Sequence, residues 1–171
     1  YSYSQGLEAA LDAGIVRNRD SALQWITDVL ALSVTTLEAP ILIRMCRAWS
    51  SSDLQAIRHW NIRFLTSRET AELRAETVQM GYSLRRLLVE LGVLDGSTID
   101  ALESLEEVSY PAAFSCAAMA MQIDSHDALS GYLWSWCENQ VMAVVKALPL
   151  GDGGDRADRA RRGGSRARES G

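Results

Sequence analysis

Histidine is scarce in this chain: His59 and His126 are the only two among 171 residues. Neither stands in HxxxH spacing or beside a pair of cysteines, so no protein-built transition-metal site is expected. Cysteine is nearly as sparse. Cys46, Cys116 and Cys137 are odd in number, far apart and without a CxxC. Each lies among apolar neighbours, which reads as reduced, buried thiols rather than a disulfide framework. There is no GxGxxG, P-loop, GxSxG or HExxH, so catalytic residues and an enzyme are not expected. No uninterrupted apolar run approaches 18 residues and no signal peptide is visible, which argues against a membrane span and against secretion. No stretch alternates with period two over a strand's length, and no NG or DG turn joins such stretches.

What is present is helical. Apolar residues make up 47% and charged residues 23%, an ordinary globular balance for one domain. The expected fold is all-α, a single-domain bundle of six to eight helices with a disordered C-terminal tail. Ser21 with Gln24, Ser52 with Gln55 and, more weakly, Ser97 with Asp100 have the spacing of helix N-caps. Leu23, Ile26, Leu30, Val34, Leu37, Ile41 and Met45 step by three or four onto one face. Pro40 interrupts that run, so a kink or break is expected there. Leu73, Thr77, Met80, Leu84, Leu87 and Leu91 form the most regular stripe, with Gly92 placed to cap it. Pro111 fits a first helical turn, and the alanines at 112, 113, 117, 118 and 120 suit a central helix that neighbours approach closely. A last long helix is expected from about Asp127 to Leu148, with Leu129, Leu133, Trp136, Gln140, Val144 and Leu148 on one face.

The composition changes after residue 150. Residues 151–171 hold six Arg, four acids, no aromatic and no branched aliphatic residue. They carry +2, which leaves −7 on residues 1–150 of the total of −5. Such a segment buries too little apolar surface to offset its ordering entropy, so it is expected to be disordered. An Arg/Gly tail is one route to RNA binding, tested by salt-dependent binding that disappears on deleting 152–171. The acidic body argues against nucleic acid as a partner.

Three stretches are odder than a plain bundle requires. The chain opens on "YSYSQGLE". "SRETAELRAE", residues 67–76, places Arg68 and Glu72 four apart, with Glu69 and Glu76 toward the same side and Arg74 away from Leu73. This is either a solvated face of weak ion pairs or a charged docking surface. "YLWSWCENQ", residues 132–140, sets Trp134 and Trp136 roughly 200° apart on a helix, so both cannot face one core. Glu138, Asn139 and Gln140 then imply either a buried hydrogen-bond network or a contact surface.

These stretches, read in full as "SYSQGLE", "SRETAELRAETVQMG" and "GYLWSWCENQVMAVVKALPLG", resemble the UreF family of urease accessory proteins. "AALDAGIV", "TTLEAPILIRMCRAW" and "RHWNIRFL" fit the same family in order and spacing. The likeness covers about residues 2 to 151, so residues 1–150 are read as a UreF-like domain. It implies a cytoplasmic all-α chaperone that is not an enzyme and binds no cofactor directly. Such a protein would engage a UreD/UreH-type scaffold, a UreG-type GTPase and apo-urease, as a homodimer in the complex. Nickel and GTP would be handled by that complex, which couples GTP hydrolysis to nickel insertion. Matched to the family motifs, the expected partner-binding residues are Tyr3, Ser4, Gln5, Gly6 and Glu8, then Arg68, Glu69, Glu72, Arg74 and Glu76. The third group is Tyr132, Trp134, Trp136, Glu138, Asn139, Gln140 and Lys146. No metal ligand is among them. An alternative is an activator of the GTPase that supplies an arginine in trans, for which Arg68 and Arg74 are the candidates. Asp152 to Gly171 depart from the family pattern, and a frame shift after Gly151, with truncation at the N-terminus, is the expectation that the flanking coding DNA tests.

Overall fold

The computed structural model describes residues 6–148. Tyr3, Ser4 and Gln5, the expected disordered tail and the proposed frame shift lie outside the described residues. The elements are α1 Leu7–Asp12, α2 Arg19–Val29, a π-helical segment Leu30–Glu38, α3 Ala39–Ser50, α4 Leu54–Thr66, α5 Ala71–Glu90, α6 Gly96–Glu103, α7 Tyr110–Ala120 and α8 Ser125–Ala147. From Arg19 to Ser50 the chain is one unbroken helix of 32 residues. The described residues therefore form seven helical rods, and no strand occurs among them.

Pro40 does not break the long helix. The turn before it is wound wider: Ala39 N–H donates to the Val34 carbonyl, five residues back. Pro40 then falls in the first turn of the tighter α3, where its missing N–H costs little. Thr35 and Thr36 hydroxyls donate back to the Ala31 and Leu32 carbonyls at 2.9 and 2.7 Å within the widened stretch. Val34, Ile41 and Met45 are buried and Ile26, Leu30 and Leu37 half-buried, as expected. Leu23, also expected inward, is 64% exposed, while Ala22 beside it is buried.

By length and composition alone this helix is long and apolar enough to cross a membrane, a test that a core helix also passes. The expectation counted an uninterrupted apolar run, whereas the average over a window tolerates the charges Asp28 and Glu38. Glu38 is here buried and ion-paired within the protein.

The caps differ from those expected. Asn18, not Ser21, caps α2: its side chain accepts from Ser21 N–H at 2.9 Å, and the Ser21 hydroxyl accepts in return from Asn18 N–H at 3.1 Å. Asp53 caps α4 through Ala56 N–H, and Asp95 caps α6 through Thr98 N–H. In each case a nearby Asn or Asp oxygen reaches the free N–H groups of the first turn and takes the cap in place of the serine. At the other end of α5, Gly92 adopts φ 62°, the left-handed conformation expected for it.

Alanine-rich α7 is the centre, packed mainly between α3 and α5. Pro111 lies in its first turn as expected. Ala112, Ala113 and Cys116 join Met45, Ile57, Phe64, Leu88 and Leu102 in the main core. Where the chain enters α7, it crosses α5 at Gly81. A Cβ there would stand 2.0 Å from the Val108 carbonyl oxygen, so a glycine is required by contact. This crossing moves the buried stripe of α5 to Thr77, Gly81 and Leu88, with Leu84 partly covered. Leu87 and Leu91, expected on the stripe, are 48% and 58% exposed. Asn61 secures the same crossing, donating to the Glu107 carbonyl at 2.7 Å and accepting from Ser109 N–H at 3.0 Å. Thr77 accepts from Tyr110 N–H at 3.1 Å.

Candidate partner-docking site

Helix α8 begins at Asp124, whose carboxylate accepts from the N–H groups of His126 and Asp127 at 2.7 and 3.2 Å. Those bonds hold the carboxyl below its ordinary range. The helix buries Ala128, Tyr132, Trp136, Gln140, Ala143 and Val144. Three aromatic rings meet there: Tyr132 lies 5.7 Å from Tyr110, nearly parallel, and 5.3 Å edge-on from Phe114.

The middle motif reaches α8 through a buried acid. Arg68 and Glu72 were expected to pair along a helix, but α5 starts later, with Thr70 as its cap. Arg68 therefore sits in the connection before α5, where its Nη1 meets Glu38 Oε1 at 3.0 Å. Tyr132 Oη donates to the other carboxylate oxygen, Oε2, at 2.8 Å. Arg68 also lies over the Phe64 ring at 4.3 Å and donates to Ser67 Oγ at 3.2 Å. The Glu38 side chain is 1% exposed and that of Arg68 10%. Burial raises the Tyr132 hydroxyl well above its ordinary range, reinforced by the adjacent Glu38 carboxylate, so it remains a donor. Arg68 Nε finds no acceptor among the described residues. A small cleft, about 10 Å³ and large enough for roughly one water, opens beside Arg68, Glu76, Thr77, Tyr110 and Tyr132.

The first motif reaches the other end of α8. Gly6 precedes α1 with φ 92°. Leu7 and Ala10 are buried with Val16, Ala22, Ala143 and Val144. Glu8 stays exposed. The three motifs, the first and last more than a hundred residues apart in sequence, thus converge along one helix.

The remaining expected residues divide by exposure. Trp136 is 5% exposed and Trp134 73%, the split that their spacing predicts. Glu69 and Glu72 are exposed and Glu76 is half-buried. Arg74 pairs with Glu107 at the surface. Glu138 and Lys146 are exposed, Asn139 is half-buried and Gln140 is buried. Gln140 Nε2 finds no acceptor among the described residues, so no complete polar network forms around it there. Arg68 is enclosed by Glu38, Phe64 and Ser67, which takes its guanidinium away from the surface. Sequence reasoning missed Glu38. Its signal was a lone acid in an otherwise apolar helical run, which demands a buried cation.

The thiols match a structural reading. Burial pushes Cys46 up to about 11 and Cys116 up to about 12, the latter helped by the negative charge of Asp95. No group of three His, Cys, Asp or Glu side chains placed to hold a metal occurs among the described residues.

The UreF family model matches residues 16–153. Among curated proteins, the urease accessory protein UreF of Azoarcus sp. is 50% identical over 153 residues, 88% of this chain and 65% of that protein. The proteins of the same name from Methylobacillus flagellatus and Dechloromonas aromatica are 46% and 48% identical over 88% of this chain, and 66% and 67% of theirs. The chain thus spans about two thirds of the length of the curated relatives it matches. With its family motifs gathered along α8 and a family match over most of its length, the chain belongs to the UreF family.

Proposed function

We propose that this chain is a non-catalytic chaperone of urease maturation, working in the cytoplasm through protein contacts. It would join a UreD/UreH-type scaffold and a UreG-type GTPase on apo-urease, as a homodimer within that complex. Nickel is the cargo and GTP the fuel, both carried by the partners. The observation that carries this reading is the convergence of the three motifs on α8, whose outer side exposes Trp134 and, one turn on, Glu138. An exposed tryptophan on a rigid helix is a typical anchor for a partner protein. The relatives' name, urease accessory protein, supplies the process.

The alternative reading, an arginine supplied in trans to the GTPase, rests on Arg74. Its side chain is 45% exposed and its surface pair with Glu107 is readily exchanged. GTP turnover of a UreG-type partner, measured with Arg74→Ala and Arg68→Ala, separates the readings. The chaperone reading expects turnover to be unaffected by Arg74→Ala. A drop of about a thousandfold would establish the arginine in trans instead.

A further inference from the structure

Charge is unevenly shared in the fold. The hairpin of α3 and α4, residues 39–66, holds Arg44, Arg47, Arg58 and Arg63 against the single acid Asp53, so it carries +3. The other residues up to 150 carry −10. Asp53 is engaged at the start of α4, where its side chain accepts from Ala56 N–H at 3.0 Å. On α4 itself, Gln55, Arg58, His59, Ile62, Arg63 and Thr66 are all exposed. At about 100° per residue they fall within about 140° of arc, away from the buried Ile57, Asn61, Phe64 and Leu65. That face holds no acid, and neither of its arginines makes an ion pair among the described residues. Arg44 extends it from α3: its guanidinium lies 5.0 Å over the Trp60 ring, and Nη1 donates to the Pro40 carbonyl at 2.9 Å. Ile62, 59% exposed, lies between Arg58 and Arg63. Beside it a cleft of about 230 Å³ opens between α4 and residues 104–107. Ile62, Leu65 and Leu105 give it an apolar lining, with Arg58 and Thr66 on the α4 side. On the opposite wall Glu107 is paired with Arg74, and Glu106 is exposed.

The charge indicates the occupant. Basic groups with no acid among them attract carboxylates, while Ile62 and the cleft give an apolar side chain a seat. Laying α4 on α4 of a second copy sets cations against cations or neutral residues wherever the twofold axis falls, because this face has no acid to offer. The face is about 20 Å long, the length of a 13-residue helix. A long polyanion such as a nucleic acid would run past it onto the acidic remainder. We infer that the outer face of α4 docks a short acidic segment of a different protein. Its carboxylates meet Arg58 and Arg63, and an apolar side chain between them lies on Ile62 and enters the cleft. The inference rests on the chaperone reading only for its biological setting and names the chemistry of one partner surface.

The test uses the full chain and two synthetic helical peptides of about 18 residues, long enough to span α4. One carries a stripe of Leu flanked by Glu, and its twin has Gln for every Glu. Calorimetry at about 0.05 M salt reads the affinity, and a repeat at about 0.5 M reads its screening. The Glu peptide is expected to bind at least about tenfold more tightly than the Gln peptide at low salt, and to lose that advantage at high salt. Arg58→Glu with Arg63→Glu should abolish the preference, and Ile62→Asp should weaken both peptides, with circular dichroism and Tm unchanged. Arg17→Glu with Arg19→Glu, the same charge change at another exposed site, should leave the preference in place. Equal affinity for the two peptides, binding of neither, or an equal loss in the Arg17 and Arg19 variant overturns the inference. So does tighter binding of a single-stranded DNA of about 20 nucleotides that Arg58→Glu with Arg63→Glu removes, because the occupant is then a nucleic acid. Concentration-dependent self-association in sedimentation that the same variant removes overturns it too, because the occupant is then a second copy. Urease activation by the Arg58→Glu, Arg63→Glu chain in cells is scored separately. Normal activation alongside the expected peptide preference supports the docking chemistry and counts against a role of this face in maturation. Lost activation without any peptide preference overturns the inference and leaves the chaperone reading standing.

Discussion

Glu38 shows how one side chain ties distant parts of a chain together. It is buried, yet it accepts from Arg68 and Tyr132 on opposite oxygens, so its charge is met on both sides. Removing one member of such a pair leaves the other buried and uncompensated, at a cost of about 3–5 kcal/mol. Glu38→Ala should therefore destabilise strongly in urea unfolding. The triple change Glu38→Leu, Arg68→Met and Tyr132→Phe should recover most of the loss, because no unpaired polar group remains. A Glu38→Ala loss under about 1 kcal/mol would mean that the network is solvated. The thiols offer a second test at this scale. With Cys46 and Cys116 held near 11 and 12 by burial, neither is a thiolate at pH 8. Iodoacetamide should label at most Cys137 in the native chain at that pH, and all three cysteines once urea unfolds it.

Helix α8 is fixed at its start by Asp124 and braced along its length by the aromatic cluster. The carboxylates of Asp124 and Asp95 are both held below their ordinary 3.8 by N–H donors of the helices they cap. A depressed folded value means that the stabilisation is complete above the unfolded value and fades as pH falls through the folded one. Stability should thus decline on acidification below about pH 4, and Asp124→Asn, which keeps a cap without the charge, should flatten that decline. Thermal melts between pH 2 and 6 read both. On α5, Gly81→Ala forces a methyl into the Val108 carbonyl and should cost about 3 kcal/mol or more. How far these elements were legible in the sequence follows the same physics. Period and composition were enough for the all-α class, α7 as the centre, and the inward and outward split of Trp136 and Trp134. The face of the long helix was legible from Ile26 to Met45, and only Leu23, near its start, lies outside it. The α5 stripe was misplaced because Gly81, which has no side chain to count, marks the closest packing. The Glu38–Arg68 pair was invisible because it joins residues 30 apart through a connection, not along a helix.

At the scale of the molecule, family motifs scattered from residue 6 to residue 146 meet along one helix, one face of which the fold uses and the other it leaves exposed. That arrangement suits a protein that works by holding others in place. The most direct measurement co-expresses the chain with a UreD/UreH-type scaffold, a UreG-type GTPase and apo-urease. It then scores co-purification and urease activity for the unaltered chain and for Trp134→Ala with Val141→Glu. The account predicts that the unaltered chain co-purifies with the scaffold and supports nickel-dependent urease activity. The doubly altered chain should fold with the same Tm but lose at least about tenfold in both readouts. Full co-purification and full activity from the altered chain, or no scaffold binding by the unaltered one, would contradict it.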